Sequence, residues 1–373
     1  MLQTSGQPTD EKVSVDVSGR KQTGLRKLFV SLRVYRCIMA QVAPEQGYLW
    51  AIGGKIEGQH ALDDTTVYSI REDEWHSSVN DELEPMPVGV QGAGWTLYDQ
   101  QIFCFGGKTD VHTAATDAVQ VYDIAADEWS QREPMPEPRS KLGKFYPVVE
   151  DRYVYLFGGD TEEGRFDRVA WNWRYDLAKD AWDRSVADAP FPQSFPLPTY
   201  HDGWLYYSTG NTQQKGGQNN YPGALNQRYN PETDNWQVVT PTPHPVTDGS
   251  GVKFEGELHF IGGWNTNEAF YNEDVDYYRG PVRRQHTVYD YESNTWRYED
   301  QLPGHWHHGG TRAAAGYLWH YLGTIDEVAG DGVEYHTDRI QRWDGNEWEE
   351  MTRAPVKKMN FSTVTSAVGP VAE

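Results

Sequence analysis

Apolar residues along this chain fall in short runs of four or five, YLWAI, IFCF, YVYLF, WLYY, LHFI and YLWHY, each bounded by turn residues. Runs this short and this rich in aromatic residues predict strands buried on both faces rather than helices, which need a longer segment and a wider period. A tight turn precedes most of them (Asp99-Gln100, Glu150-Asp151, His201-Asp202-Gly203, Glu255-Gly256, Ala315-Gly316), and a further strand precedes the turn. Each run then closes on glycine: Gly53-Gly54, Gly106-Gly107, Gly158-Gly159 and Gly262-Gly263, decaying to Ser208-Thr209-Gly210 and Leu322-Gly323. Glycine there implies a tight turn that another backbone approaches closely.

Beyond the glycines each unit continues with a variable loop, a strand carrying Tyr, a polar turn and a strand opened by Trp. The phrases YSIREDEW, YDIAADEW, YDLAKDAW, YNPETDNW, YDYESNTW and the shorter WDGNEW end on Trp75, Trp129, Trp182, Trp236, Trp296 and Trp348, at intervals of 54, 53, 54, 60 and 52 residues. A period of about 50 residues with four strands per unit predicts an all-β propeller of six four-stranded antiparallel blades. Units four and six lack the glycine pair, and Trp343 replaces Tyr in unit six, so those two blades are expected to be distorted.

From about residue 34 to 368 the chain resembles the Kelch repeat family. The resemblance rests on the glycine pairs, on Tyr68, Tyr122, Tyr175, Tyr229 and Tyr289 seven residues before each Trp, and on the Pro85-Met86-Pro87 and Pro134-Met135-Pro136 loops with Arg139 after the second. It implies a Kelch β-propeller, and in size and repeat number the chain is similar to Kelch-type sialic acid mutarotases. Such propellers include adaptors, sugar-binding proteins and enzymes, so fold alone does not choose among them. The copper oxidases built on this fold are a poor match, because Tyr200-His201 falls in a hairpin on the wrong face and neither cysteine neighbours a suitable tyrosine.

Residues 1–27 are polar and read as a mobile tail, leaving 28–373 as a single propeller domain. Two segments compete for the innermost strand of the first blade, YRCIMAQV (35–42) and MNFSTVTSAV (359–368). The N-terminal one is expected to take it, with the C-terminal strand adding to the closure; a partial seventh blade is the alternative.

With 55 acidic and 33 basic residues the net charge is −22. Such a field repels nucleic acid and anionic membranes, and the acid excess suits a high-salt cytoplasm. No apolar run is long enough to span a bilayer and no signal-like segment is visible, so a cytoplasmic location is expected. Cys37 and Cys104 sit in apolar strands and read as inert core thiols.

In a propeller the loops between strands two and three, and the linkers from strand four to the next blade, open on one face around the axis. Those between strands two and three lengthen in blades four to six (211–226, 264–285 and 324–338), and insertions a scaffold does not need are usually functional. The fourth-blade loop contributes Tyr221. The fifth holds Tyr271, Tyr277, Tyr278, Arg279, Arg283 and Arg284, with His286 just after it. Three arginines within six residues suit a carboxylate or phosphate, although Glu273, Asp274 and Asp276 can equally neutralise them. A second cluster, His305-Trp306-His307-His308, precedes Arg312, and His336 lies in the sixth-blade loop. Alternation along a strand lets at most two of these three imidazoles share a target, so a metal at His305, His307, His308 and His336 is not the expected outcome. No cofactor is expected. His201 and His259 read as structural.

The leading expectation is a binding module whose mouth, formed by blades four to six, takes an acidic carbohydrate or a carboxylate-bearing protein segment. The alternative is an enzyme on an acidic sugar, interconverting anomers or cleaving a uronate polymer by elimination. In the second case Arg283 or Arg284 would neutralise the carboxylate, His307 or His308 would take the proton and Tyr277 or Tyr278 would protonate the leaving oxygen. A protein-interaction scaffold is the third reading.

Overall fold

The computed structural model describes residues 47–56, 61–109, 115–161, 167–212, 221–263, 271–272, 277–278, 284–326 and 335–370, with backbone alone at 221–222, 271–272, 277–278, 305, 326 and 335. Both the expected tail and the 35–42 strand lie outside these residues. The segment from Val42 to Glu373 is one compact unit, and six sheets follow one another along it.

Blade two is the regular case: Gly94–Tyr98, Gln101–Phe105, Val119–Asp123 and Glu128–Arg132 pair antiparallel in chain order. Blades four, five and six repeat it, with innermost strands Leu197–His201, Ser250–Phe254 and Gly310–Ala314. Blade three keeps three regular strands, Tyr153–Phe157, Asn172–Asp176 and Ala181–Asp183. Its inner place is taken by the irregular stretch 142–149, tied to blade two by Tyr146 N–H to Trp95 O at 2.7 Å. Inner strands of neighbouring blades touch around the axis.

Blade one corrects the expected closure. Its innermost strand is C-terminal, Val364–Ser366, paired with Tyr48–Trp50, which pairs in turn with Thr66–Ser69 and Glu74–Ser77. Side chains secure the join: Trp50 Nε1 donates to Ser366 Oγ at 2.8 Å, and Ile52 N–H donates to Ser362 Oγ at 2.8 Å. With that place filled, the ring has six blades.

Glycine pairs earn their positions through the linkers. The second glycine's N–H donates, at 2.8 to 3.1 Å, to a carbonyl in the linker that follows its blade: Val90, Arg139, Gln193, Val246, Trp306 and Lys358. Blades four and six make the same bond from Gly210 and Gly323, while Thr209 and Leu322 hold the first glycine's place at φ +61° and +55°. Their sheets are therefore regular, contrary to the expected distortion. The surrounding bonds hold these two side chains in the left-handed region that glycine fills elsewhere at less cost.

Tyr and Trp latch each blade to the one before it. In blades one to five the Tyr hydroxyl donates at 2.5 to 2.7 Å to Asp73, Asp127, Asp180, Asp234 or Asn294. That same side chain accepts a linker N–H (Thr352, Glu84, Glu133, Ala187, Thr240) at 2.8 to 3.1 Å. The Trp indole N–H donates to a carbonyl of the same linker at 2.9 to 3.2 Å. Blade six has Trp343 for Tyr and Gly345 in the turn, and the indole nitrogens of Trp343 and Trp348 find no acceptor among the described residues. The seam between blades five and six is instead filled by rings, His259 and His286 packed against Trp343.

Candidate functional site

The expected site residues separate into three groups. Arg279 and Arg283 lie outside the described residues; for Tyr221, Tyr271, Tyr277, Tyr278 and His305 only the backbone is described, in short loop strands such as Tyr271–Asn272 paired with Tyr277–Tyr278 and His305–His307 paired with Thr324–Asp326.

A second group serves the packing. His286 is fully buried in the seam, its Nε2 2.8 Å from His259 Nδ1. Burial holds both imidazoles neutral, pulling His259 down to about 4 and His286 to about 3. Trp306 is a core residue beside Ile261, Leu302, Leu318 and Ile325. The position expected to carry ligand contacts thus carries hydrophobic burial instead. Cys104 is buried, as expected of a core thiol.

The third group lines the mouth. Arg284 is exposed and its Nε donates to Leu302 O at 2.7 Å. His336 is half-buried at the sixth-blade loop. His307 and His308 approach each other through their Nδ1 atoms, and His308 Nε2 stands 3.4 Å from Asp248 Oδ2. His308 adopts φ +58°, held by its N–H donating to Asp248 O at 2.6 Å. A carboxylate, the partly buried His308 imidazole and the buried His307 imidazole therefore stand in succession where the linker between blades five and six meets the axis. That order can hold or pass a proton. Among the described residues no cluster of three or more His, Cys, Asp or Glu is placed to hold a metal.

Below this line the axis is crossed by Arg312, one of the expected site residues, and by Lys144, which the sequence reading did not single out. Lys144, on the irregular inner stretch of blade three, donates from Nζ to Gly309 O of blade six, the opposite blade in the ring. Its own carbonyl accepts from Thr363 Oγ1 of blade one at 3.3 Å. Arg312 donates to Thr363 O, and to Thr311 O at 3.2 Å, with its guanidinium 4.2 Å from the Phe145 ring centre. Phe145 in turn packs against the core of blades one and two. Insertions mark long loops, whereas Lys144 sits in an inner segment of ordinary length; the available signal was a charged residue in the otherwise apolar stretch LGKFYPVV.

Further out on the same face, Lys55 and Lys108 follow their glycine pairs, Arg168 lies buried opposite Asp160 with its Nε donating to Ser194 Oγ at 3.2 Å, Arg339 immediately precedes the third strand of blade six, and Lys141 bridges to Asp160 at 2.5 Å. The hairpin tips on the opposite face carry Asp99, Glu150, Asp151, Asp202 and Glu255. Carboxylates stand among the mouth-face cations on the same loops and linkers, Asp64 paired with Lys358 and Asp160 with Lys141.

A profile of the Attractin/LZTR1 beta-propeller family matches residues 49–315. The chain is 32% identical to Kelch-like protein 40 of Mus musculus over 158 residues, covering 40% of this chain and 24% of that protein. It is 26% identical to Kelch-like protein 23 of Homo sapiens over 237 residues, 57% of this chain and 39% of the relative. Kelch repeat and BTB domain-containing protein 1 of Cowpox virus (strain Brighton Red) is 22% identical over 270 residues, 71% of this chain and 44% of the viral protein. The chain thus spans less than half the length of these relatives. That match covers most of the ring of blades described above, and the chain belongs to the Attractin/LZTR1 β-propeller family of Kelch-type propellers.

Proposed function

We propose that this propeller is a protein-interaction module whose mouth face grips a carboxylate-bearing segment of a partner. The observation carrying this reading is the set of part-exposed or exposed cations Lys55, Lys108, Arg284 and Arg339 on the loop face of a strongly acidic molecule. Similarity to the Kelch-like proteins supports the module; these cations support the chemistry of its partner, because charge complementarity steers association and selects against like-charged surfaces. An acidic carbohydrate offers the same carboxylates and fits the same cations.

Panning a displayed peptide library against the protein should enrich Asp and Glu. Lys55→Glu with Lys108→Glu should abolish that enrichment and steepen repulsion at low salt. Enrichment of apolar or basic peptides instead would end this reading.

A second reading, an enzyme acting on an acidic sugar, draws on the line from Asp248 through His308 to His307, with Tyr277 or Tyr278 and Arg283 or Arg284 supplied by the loop. It requires turnover: anomeric NMR signals of sialic acid, or the absorbance of unsaturated products from uronate oligomers, should change with time and stop in His308→Ala. Thermal stabilisation by these sugars without turnover favours binding alone.

A further inference from the structure

We infer that the axial channel binds one oxyanion between Lys144 of blade three and Arg312 of blade six. This goes beyond the proposed function and holds whether or not the outer loops grip a protein. Two cations face each other across the axis and, among the described residues, neither forms an ion pair with a carboxylate. Lys144 Nζ donates to the carbonyl of Gly309, and Arg312 donates to the carbonyls of Thr311 and Thr363. Arg312 is 5% exposed, yet among the described residues its Nη2 has no hydrogen-bond partner. Carrying a buried cation without a counter-ion costs several kcal/mol, a large share of the roughly 5–15 kcal/mol that holds a domain folded. Neutral carbonyls offset part of that cost.

Asp248, beside His308, is within electrostatic reach of Lys144 and acts on it more strongly than the like charge of Arg312. Desolvation nonetheless brings the Lys144 ammonium down to about 8, Asp248 opposing the shift and Arg312 adding to it; burial brings Arg312 to about 10. His320, buried behind Gly309, is pulled down to about 3 by burial and then by Lys144. Lys144 itself stays half-buried rather than sealed. A carboxylate, phosphate or sulfate placed between a guanidinium edge and an ammonium would receive charge-assisted hydrogen bonds from both.

Sulfate is the probe, because its charge does not change between pH 7 and 10. Calorimetric titration at fixed ionic strength, balanced with chloride, should show one sulfate per chain. Affinity should fall by about tenfold from pH 7 to pH 9 as Lys144 loses its proton while Arg312 stays charged, and by at least a similar factor in Lys144→Gln at pH 7. Lys144→Arg should keep binding at pH 9, and this arm stands if the glutamine variant fails to give a native near-ultraviolet circular dichroism spectrum. A triglutamate peptide that displaces sulfate with the same dependence on Lys144 would identify a partner's carboxylate as the source of the oxyanion; failure to displace it would identify a free ion. Binding that ignores both pH and residue 144, or no saturable binding, overturns the site.

Discussion

Two buried imidazoles illustrate how much single residues decide in this ring. His259 and His286 sit neutral in the seam between blades five and six, at about 4 and about 3, against about 6.5 in an unfolded chain. The unfolded state therefore takes up protons that the folded state refuses. Stability is intact above pH 6.5 and is lost as pH falls toward 4, at about 1.4 kcal/mol per pH unit for each histidine that stays neutral. Replacing the pair by His259→Gln with His286→Asn should flatten the slope of urea-unfolding free energy between pH 6.5 and 4.5 by one to two protons' worth; an unchanged slope would show the acid sensitivity to lie elsewhere. Turn residues matter in the same way. Asp180 accepts from both the Tyr175 hydroxyl and the Glu133 N–H, so Asp180→Ala strands two donors and should cost about 1–3 kcal/mol. Asp180→Asn should cost much less, since blade five makes the same latch with Asn294. Of all this, the sequence shows Tyr, Asp and Trp at fixed spacing, because every blade must meet the same obligation. It does not show Lys144 or Arg312 as a pair, because they belong to opposite blades about 170 residues apart, and proximity across an axis leaves no local spacing to read.

At the scale of the strand and its turns, repetition makes the fold legible and substitution hides its exceptions. Gly158 (φ +75°) and Gly203 (φ +80°) have similar backbones but different surroundings: a methyl on Gly158 would collide with the Gln193 carbonyl, whereas nothing lies within 4 Å of one on Gly203. Gly158→Ala should accordingly cost about 2–4 kcal/mol, backbone strain and collision together, and Gly203→Ala about 1 kcal/mol from strain alone; equal shifts of the thermal midpoint would mean that the linker gives way. Blades four and six were expected to be distorted because two glycines were missing, and the expectation failed because the hydrogen bonds on either side of Thr209 and Leu322 define the turn. The irregularity lies instead in blade three, where the inner segment leaves the ladder to cross the axis. The candidate site is legible only in outline: His307, His308 and Arg312 lie toward the axis, but Trp306, next to His307, and His286, two residues after Arg284, face the core.

A ring of sheets has one property that no blade has alone, namely a join between the two ends of the described chain. Both terminal segments, 35–42 and 359–368, carry the same apolar alternation, so pattern alone ranks them equally; what decides is which one completes the ladder beside Tyr48–Trp50, a relation between residues more than 300 apart. Closure of that kind makes the molecule depend on its last strand out of proportion to the strand's three residues. Without it Trp50, fully buried in the core of blades one and two, would face an open edge and lose the Ser366 hydroxyl that satisfies its indole. The edge so exposed would also invite pairing with another chain. Val364→Pro removes a backbone donor and stiffens the backbone where Val364 pairs with Trp50, and a proline within a ladder costs about 3 kcal/mol or more. The expected outcome is a lower urea midpoint together with early hydrogen exchange in Tyr48–Trp50 and Thr66–Ser69, while blades two to five remain protected. Loss of protection spread evenly over all six blades would instead mean that the ring unfolds as one unit, with the join no weaker than any other seam.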